Sequence, residues 1–176
     1  MTGDSVIIKY PRDPRLITFR RGGTLSDTDH RLLALWAATC AEHVLPFFEK
    51  VRPQDQRPRQ AIAAARSWAR GELAMMAARA LGGQAMGAAR ELRGAARYAA
   101  YAAGQAGVVA HVADHALGAA AYALRAVQAA APADQQEQAR RRECQWQREQ
   151  LPSEIRELVL DDQRLRNDVC WYVFDC

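Results

Sequence analysis

The stretch Ala95–Val127 reads AARYAAYAAGQAGVVAHVADHALGAAAYALRAV, and it decides the fold class. Alanine, leucine and tyrosine flank its polar groups on both sides, so the segment reads as helix that is apolar on nearly every face. Such a helix belongs in a core. At its centre stands His111-Val112-Ala113-Asp114-His115, two imidazoles and a carboxylate inside an apolar run. Buried groups of this kind must each find a hydrogen-bond partner or shift toward neutrality. That requirement fixes neighbouring helices, though it names no substrate. A kink near Gly104 or Gly107 is expected, giving one bent helix or two.

N-terminal to this stretch, Ser26-Asp27-Thr28-Asp29 opens a helix, with Ser26 as N-cap and two acids at the positive end. Leu32, Trp36, Cys40 and Val44 recur at helical spacing and face the core. Pro46 is expected to end or kink this helix. A second helix is expected from about Pro58 to Arg70 and a third from Glu72 to Arg93. Gly82, Gly83 and Gly87 each weaken the third by about 1 kcal/mol relative to alanine, unless they admit a close neighbour. C-terminal to the stretch, Asp134 is expected to cap a polar helix from Gln135 to Gln150, anchored by Trp146. Pro152 opens another through Leu160, with Ile155, Leu158 and Val159 as its apolar stripe. Val169-Cys170-Trp171-Tyr172-Val173-Phe174 is too apolar for a free tail. Before Gly23, Val6–Tyr10 and Leu16–Arg20 are β-branched or aromatic runs separated by prolines, which suggests a short β-ribbon or extended arm. The expected architecture is all-α: an antiparallel bundle of about six or seven helices over residues 26–176, with an arm at 1–23, in a single domain 1–176.

A chain of 176 residues suits one domain. Hydrophobic content is 49%, much of it alanine, and aromatic content is 7%. Close helix packing should therefore carry much of the stability. With aromatics so scarce, Trp36, Trp68, Trp146 and Trp171 are all expected to be mostly buried as filler. The net charge is +4 and the pI about 9.1. The only lysines are Lys9 and Lys50, an Arg-heavy bias that a GC-rich genome would impose, so it is discounted as a binding signal. Arg140-Arg141-Arg142 interleaves with Glu137, Glu143 and Glu149 and lacks an aromatic platform, which reads as a solvated face and not as a nucleic-acid contact. Tyr98–Ala113 is too short and too polar for a membrane span. The four cysteines show no C-x-x-C pair, and the start lacks a basic, apolar secretion signal. They are expected to be reduced thiols in a cytoplasmic protein, with Cys176 bonded to none of Cys40, Cys144 or Cys170.

His111 and His115 stand four residues apart in a string H-x-x-D-H, close to the H-x-x-E-H of inverted zinc proteases. Zinc chemistry needs a third ligand and an open position, and no candidate stands out. The preferred reading makes His111, Asp114 and His115 a structural polar cluster, with no metal and no cofactor. In it Asp114 is buried against an arginine such as Arg97 or Arg164, or a helix N-terminus. At least one histidine donates to a backbone carbonyl or carboxylate. Losing the Asp114 pair would then cost about 3–5 kcal/mol. No phosphate-binding glycine loop and no G-x-S-x-G is present, and no nucleophile, base and oxyanion hole assemble. Cys40 lies on an apolar stripe and reads as core, with a tertiary pairing to His43 left open. Glu154, Glu157, Asp161, Asp162 and Asp168 interleave with Arg156, Arg164 and Arg166. They form either a salt-bridged face or a docking surface for a basic partner, for which Glu154, Glu157, Asp161 and Asp162 are the candidate contacts.

Four segments carry a family likeness: His30-Arg31-Leu32-Leu33-Ala34-Leu35-Trp36-Ala37-Ala38; Arg57-Pro58-Arg59-Gln60-Ala61 through Trp68-Ala69-Arg70-Gly71-Glu72; His111 to Ala123; and Leu151-Pro152-Ser153-Glu154-Ile155-Arg156-Glu157-Leu158 through Gln163-Arg164-Leu165-Arg166-Asn167. In this order they resemble the immunity-protein family numbered five among those of bacterial polymorphic toxin systems. The resemblance runs roughly from Arg15 to Trp171. It implies a small helical cytosolic protein that binds a cognate toxin domain and blocks it without catalysis, and it carries over no catalytic residue. A basic nuclease toxin would call for a strongly acidic inhibitor. This chain is net basic, so either the Glu154–Asp168 surface acts locally or the toxin is of another kind. The alternative to immunity is a helical metal-dependent hydrolase centred on His111 and His115.

Overall fold

Seven α-helices succeed one another in the computed structural model, which describes residues 11–176: α1 Asp27–Glu49, α2 Arg57–Ala69, α3 Met75–Ala88, α4 Gly94–Val108, α5 His115–Ala130, α6 Gln136–Glu149 and α7 Ser153–Leu165. No strand forms among the described residues. The run Val6–Tyr10 lies outside them. Leu16–Arg20 runs from the end of one 3-10 turn, Pro14–Leu16, into another, Phe19–Arg21, and its one ladder contact is an isolated bridge from Thr18 to Leu25.

The Ser26 hydroxyl accepts the Asp29 amide at 3.0 Å and caps α1 as expected. Pro46 does not end that helix, which runs on to Glu49. Leu45 and Phe48, on either side of the proline, are buried. Their packing outweighs the lost amide, and Pro46 itself faces water. Helix α2 carries Pro58 in its first turn, where its missing N–H costs nothing. Helix α3 is shorter at both ends than the expected Glu72–Arg93. At α6 the N-cap position belongs to Gln135 and not to Asp134. Helix α7 continues past Leu160 to Leu165.

The stretch Ala95–Val127 forms two helices. Their break falls at residues 109–114, downstream of the expected glycine kink. Gly104 and Gly107 sit inside α4 because α3 presses against them. A Cβ on Gly107 would lie 2.9 Å from the Gly82 Cα, and one on Gly104 2.9 Å from the Gly82 carbonyl. Helix α4 packs on α1, α2, α3 and α5, and α6 packs on α5. Ala99, Ala100, Ala103, Ala106, Ala120 and Ala123 are wholly buried at this centre, with Leu33, Leu45, Phe48, Leu117, Leu124 and Ile155 as the large filler.

Trp36 is buried and its indole N–H donates to the Gln147 carbonyl at 2.9 Å, joining α1 to α6. Trp68 and Trp146 are half-buried. Trp171 departs from expectation at 47% exposed. It belongs to a tail, residues 166–176, whose Val173 and Phe174 are buried while Trp171 and Tyr172 face outward. Arg140 donates to the carbonyls of Val173 and Asp175, and Arg148 to those of Phe174 and Cys176. The expectation of four free thiols is also corrected. Cys144 of α6 and Cys176 of the tail form a disulfide with their Cα atoms 6.2 Å apart, whereas Cys40 and Cys170 are free and buried. No helix among the described residues is long and apolar enough to cross a membrane.

Candidate functional site

His111-Val112-Ala113-Asp114-His115 is the junction between α4 and α5, so the two histidines do not share one helix face. Its anchors come from several elements. His30 of α1 donates its Nε2–H to the Val109 carbonyl at 2.7 Å, with its ring edge against Trp68. His115 donates its Nδ1–H to the Gln105 side-chain amide oxygen at 2.7 Å, and not to the expected backbone carbonyl or carboxylate. Burial holds both imidazoles below their usual range. Burial also lowers His111, as do the charges of Arg79 and Arg21, and its Nδ1 has no partner.

Asp114 does bond an arginine, but it is Arg12, at 2.7 Å, with side chains 19% and 42% exposed. The buried carboxylate–arginine pair of this region is instead Asp162–Arg166, bidentate at 2.6 and 2.5 Å. Burial raises the Asp162 carboxyl and Arg166 pulls it back. Arg166 also donates to the Asp114 carbonyl at 3.1 Å, so the start of the tail, just past α7, buttresses the junction. Among the described residues no three His, Cys, Asp or Glu side chains converge as a metal site.

The acidic candidates divide. Glu154 and Glu157 are exposed, Asp161 is shared between Arg15 and Arg164, and Asp162 is buried. His43 turns to Glu143 and not to Cys40: its Nδ1–H donates to Glu143 Oε2 at 2.9 Å while its ring stacks on Trp146. Gln147 donates to the other Glu143 oxygen at 3.1 Å. Burial, and then the Glu143 charge, push the Cys40 thiol well up. Among the described residues no hydroxyl or thiol is bonded to His43, so this dyad orients a ring without arming a nucleophile.

A further cluster escaped the sequence reading. Arg93, Arg97, Tyr98 and Tyr101 from α4 and its start, Tyr122 from α5 and Trp171 from the tail line an open cleft of about 450 Å³. Arg97 lies over the Tyr101 ring at 5.4 Å, and Arg125 lies between Tyr98 at 5.1 Å and Trp171 at 5.5 Å. Tyr122 packs on Tyr101 and Trp171 at 5.1 and 5.3 Å. Among the described residues no carboxylate pairs with Arg93, Arg97 or Arg125, whose Nε is buried without a partner. The spacings Arg97–Tyr101 and Tyr122–Arg125, four and three residues, put each pair on one helix face. That was the local signal available; the tail that completes the cleft has none.

Trp171 and Tyr172 both have φ of 57°, in the left-handed region. That conformation costs a non-glycine residue about 1–2 kcal/mol. It persists only where surroundings over-determine it, commonly at functional positions. Asn167 supplies part of that hold, accepting the amides of Tyr172 and Phe174 at 2.9 and 3.0 Å.

Residues 23–154 match the family described as Imm-5 like putative immunity protein. The chain belongs to this family. No curated protein and no solved structure matches it. The stretch matched to the Imm-5 like family carries α1 to α6, and with them Arg93 to Tyr122 of the cleft. Trp171 lies beyond it.

Proposed function

We propose that this Imm-5 like protein binds a cognate bacterial toxin domain one-to-one and blocks it, without catalysing a reaction of its own. The family match over residues 23–154 carries the reading. It is supported by where the reactive side chains are spent: His30 and His115 bond within the fold, Cys40 is buried, and His43 is tied to Glu143. In this reading His111, Asp114 and His115 serve as scaffold at the α4–α5 junction. Of the acidic candidates, Glu154 and Glu157 are free to meet a basic part of the toxin, while Asp161 and Asp162 face Arg15, Arg164 and Arg166. The chain acts as one domain in the cytoplasm, whose reducing pool opposes the Cys144–Cys176 bond seen in the fold. The thiol state of those two cysteines in cells alkylated before lysis tests that placement.

The experiment for the function is a search for a toxin gene adjoining this one, followed by co-expression of the two. Growth should be restored, and the purified mixture should contain a complex of equal stoichiometry by light scattering. A well-folded protein that neither rescues growth nor co-elutes with the toxin domain would end the proposal.

A further inference from the structure

We propose that the cleft between α4, α5 and the tail receives the toxin, and that its occupant is an acidic segment. An Asp or Glu side chain would sit on Arg93 and Arg97, with Arg125 adding charge from beside the Tyr98 and Trp171 rings, and a neighbouring apolar side chain would sit against Trp171. This deepens the toxin-binding reading and rests on it.

The cleft gathers arginines that no carboxylate of the described residues holds, beside aromatic rings. Arg15, Arg57, Arg59, Arg66, Arg70, Arg140 and Arg166 each hold a carboxylate of this chain. Arg97 and Arg125 hold tyrosine hydroxyls and ring faces instead, with the Leu92 carbonyl also accepting from Arg97 at 3.4 Å. Tyr101 and Tyr98 fix the guanidiniums of Arg97 and Arg125 by hydrogen bonds at 3.3 and 3.0 Å. Pre-positioned guanidiniums of this kind take a carboxylate in a fork.

The rings decide between an acidic protein and a single-stranded nucleic acid, which guanidinium and aromatic groups could also serve. Base stacking needs open ring faces. Here Tyr101 is covered by Arg97 and Tyr122, and Trp171 by Arg125 and Tyr122. What faces outward combines guanidinium with the half-exposed Trp171, the Arg, Tyr and Trp chemistry that dominates protein interfaces. Exposed Leu165, Val169 and Tyr172 extend the apolar part along the same C-terminal segment. The left-handed backbone at Trp171 and Tyr172 fits a tail shaped to present these rings.

The test pans a random dodecapeptide display library on the immobilised full chain and measures the selected peptides by fluorescence anisotropy, with poly(U) as a parallel titrant. Selected peptides should be rich in Asp and Glu around an apolar residue and should bind more weakly as salt rises. Arg97→Glu and Trp171→Ala, each checked for parental helicity and melting, should lose at least about tenfold in affinity. Arg59→Glu on α2, which does not line the cleft, should bind like the parent. Neutral or basic selected peptides, no selected peptides, binding indifferent to both cleft variants, or binding of poly(U) instead would each overturn the proposal. Growth rescue separates the two readings. Cleft variants that still rescue the host sink this surface alone, whereas a parent chain that never rescues sinks the immunity function.

Discussion

Asp114 and Asp162 each face an arginine, and the Asp162 pair is the more withdrawn from water: the Asp114 and Arg12 side chains are 19% and 42% exposed, those of Asp162 and Arg166 8% and 26%. An ion pair on the surface is worth about 0–1 kcal/mol. Removing one member of a buried pair costs about 3–5 kcal/mol, because the other charge is left buried and uncompensated. Asp162→Ala is therefore expected to lose about 3–5 kcal/mol by urea unfolding and Asp114→Ala about 0–1 kcal/mol; equal losses would contradict this division. The histidines give a second test. Their unfolded value is about 6.5, and burial places His30 and His115 below it in the fold. Above the unfolded value both states are neutral and the stability is fully present. As pH falls through it toward the folded values, the unfolded chain takes up protons first and stability declines. The urea midpoint should therefore drop between about pH 7.5 and about pH 5.5, and His115→Gln should drop less over that interval. A variant slope equal to the parent's would remove His115 from the account.

Helix contact at the centre depends on which glycines face a neighbour. A Cβ on Gly82 would lie 2.7 Å from the Gly104 carbonyl and 2.7 Å from Val108, whereas one on Gly83 meets nothing within 4 Å. Gly82→Ala should destabilise by about 1–3 kcal/mol through overpacking. Gly83→Ala, in open helix, should stabilise by up to about 1 kcal/mol. Chemical denaturation of the two variants checks the opposite signs, and two stabilising results would mean that α3 and α4 are not in close contact. This contrast marks what was legible in the sequence. Helical periodicity and the Ser26 cap are local signals, and they placed α1, α2 and the all-α class. The continuation through Pro46 and the break at residues 109–114 were not legible, because packing from distant residues decides both. Leu45 and Phe48 hold α1 together, while His30 and Arg166 grip the α4–α5 junction.

At the scale of the whole molecule, the decisive pairings join residues far apart in sequence. Cys144 and Cys176 are separated by 32 residues, and no spacing motif announces them. Trp171 reaches the cleft only because the tail folds back over α6. Arg140 and Arg148 bind its carbonyls, the disulfide ties its end, and Asn167 braces its turn. Cross-linking a loop of this length stabilises a chain by about 2–4 kcal/mol, chiefly by restricting the unfolded state. Cys176→Ser is accordingly expected to lower stability by about 2–4 kcal/mol while leaving the helical circular dichroism unchanged. Alkylation of the native protein without reductant should block two cysteines under denaturant, and four blocked thiols would refute the pairing. The cleft should respond as well. Two successive left-handed residues hold their conformation only while several restraints over-determine it. With the end of the tail released, Trp171 and Tyr172 can relax toward ordinary backbone angles and carry their rings away from Arg125 and Tyr122. Cys176→Ser should then bind acidic peptides more weakly than the parent although it alters no residue of the cleft. Reductant should reproduce that loss in the parent and add nothing to the variant, a pattern that a purely local role for the disulfide would not produce.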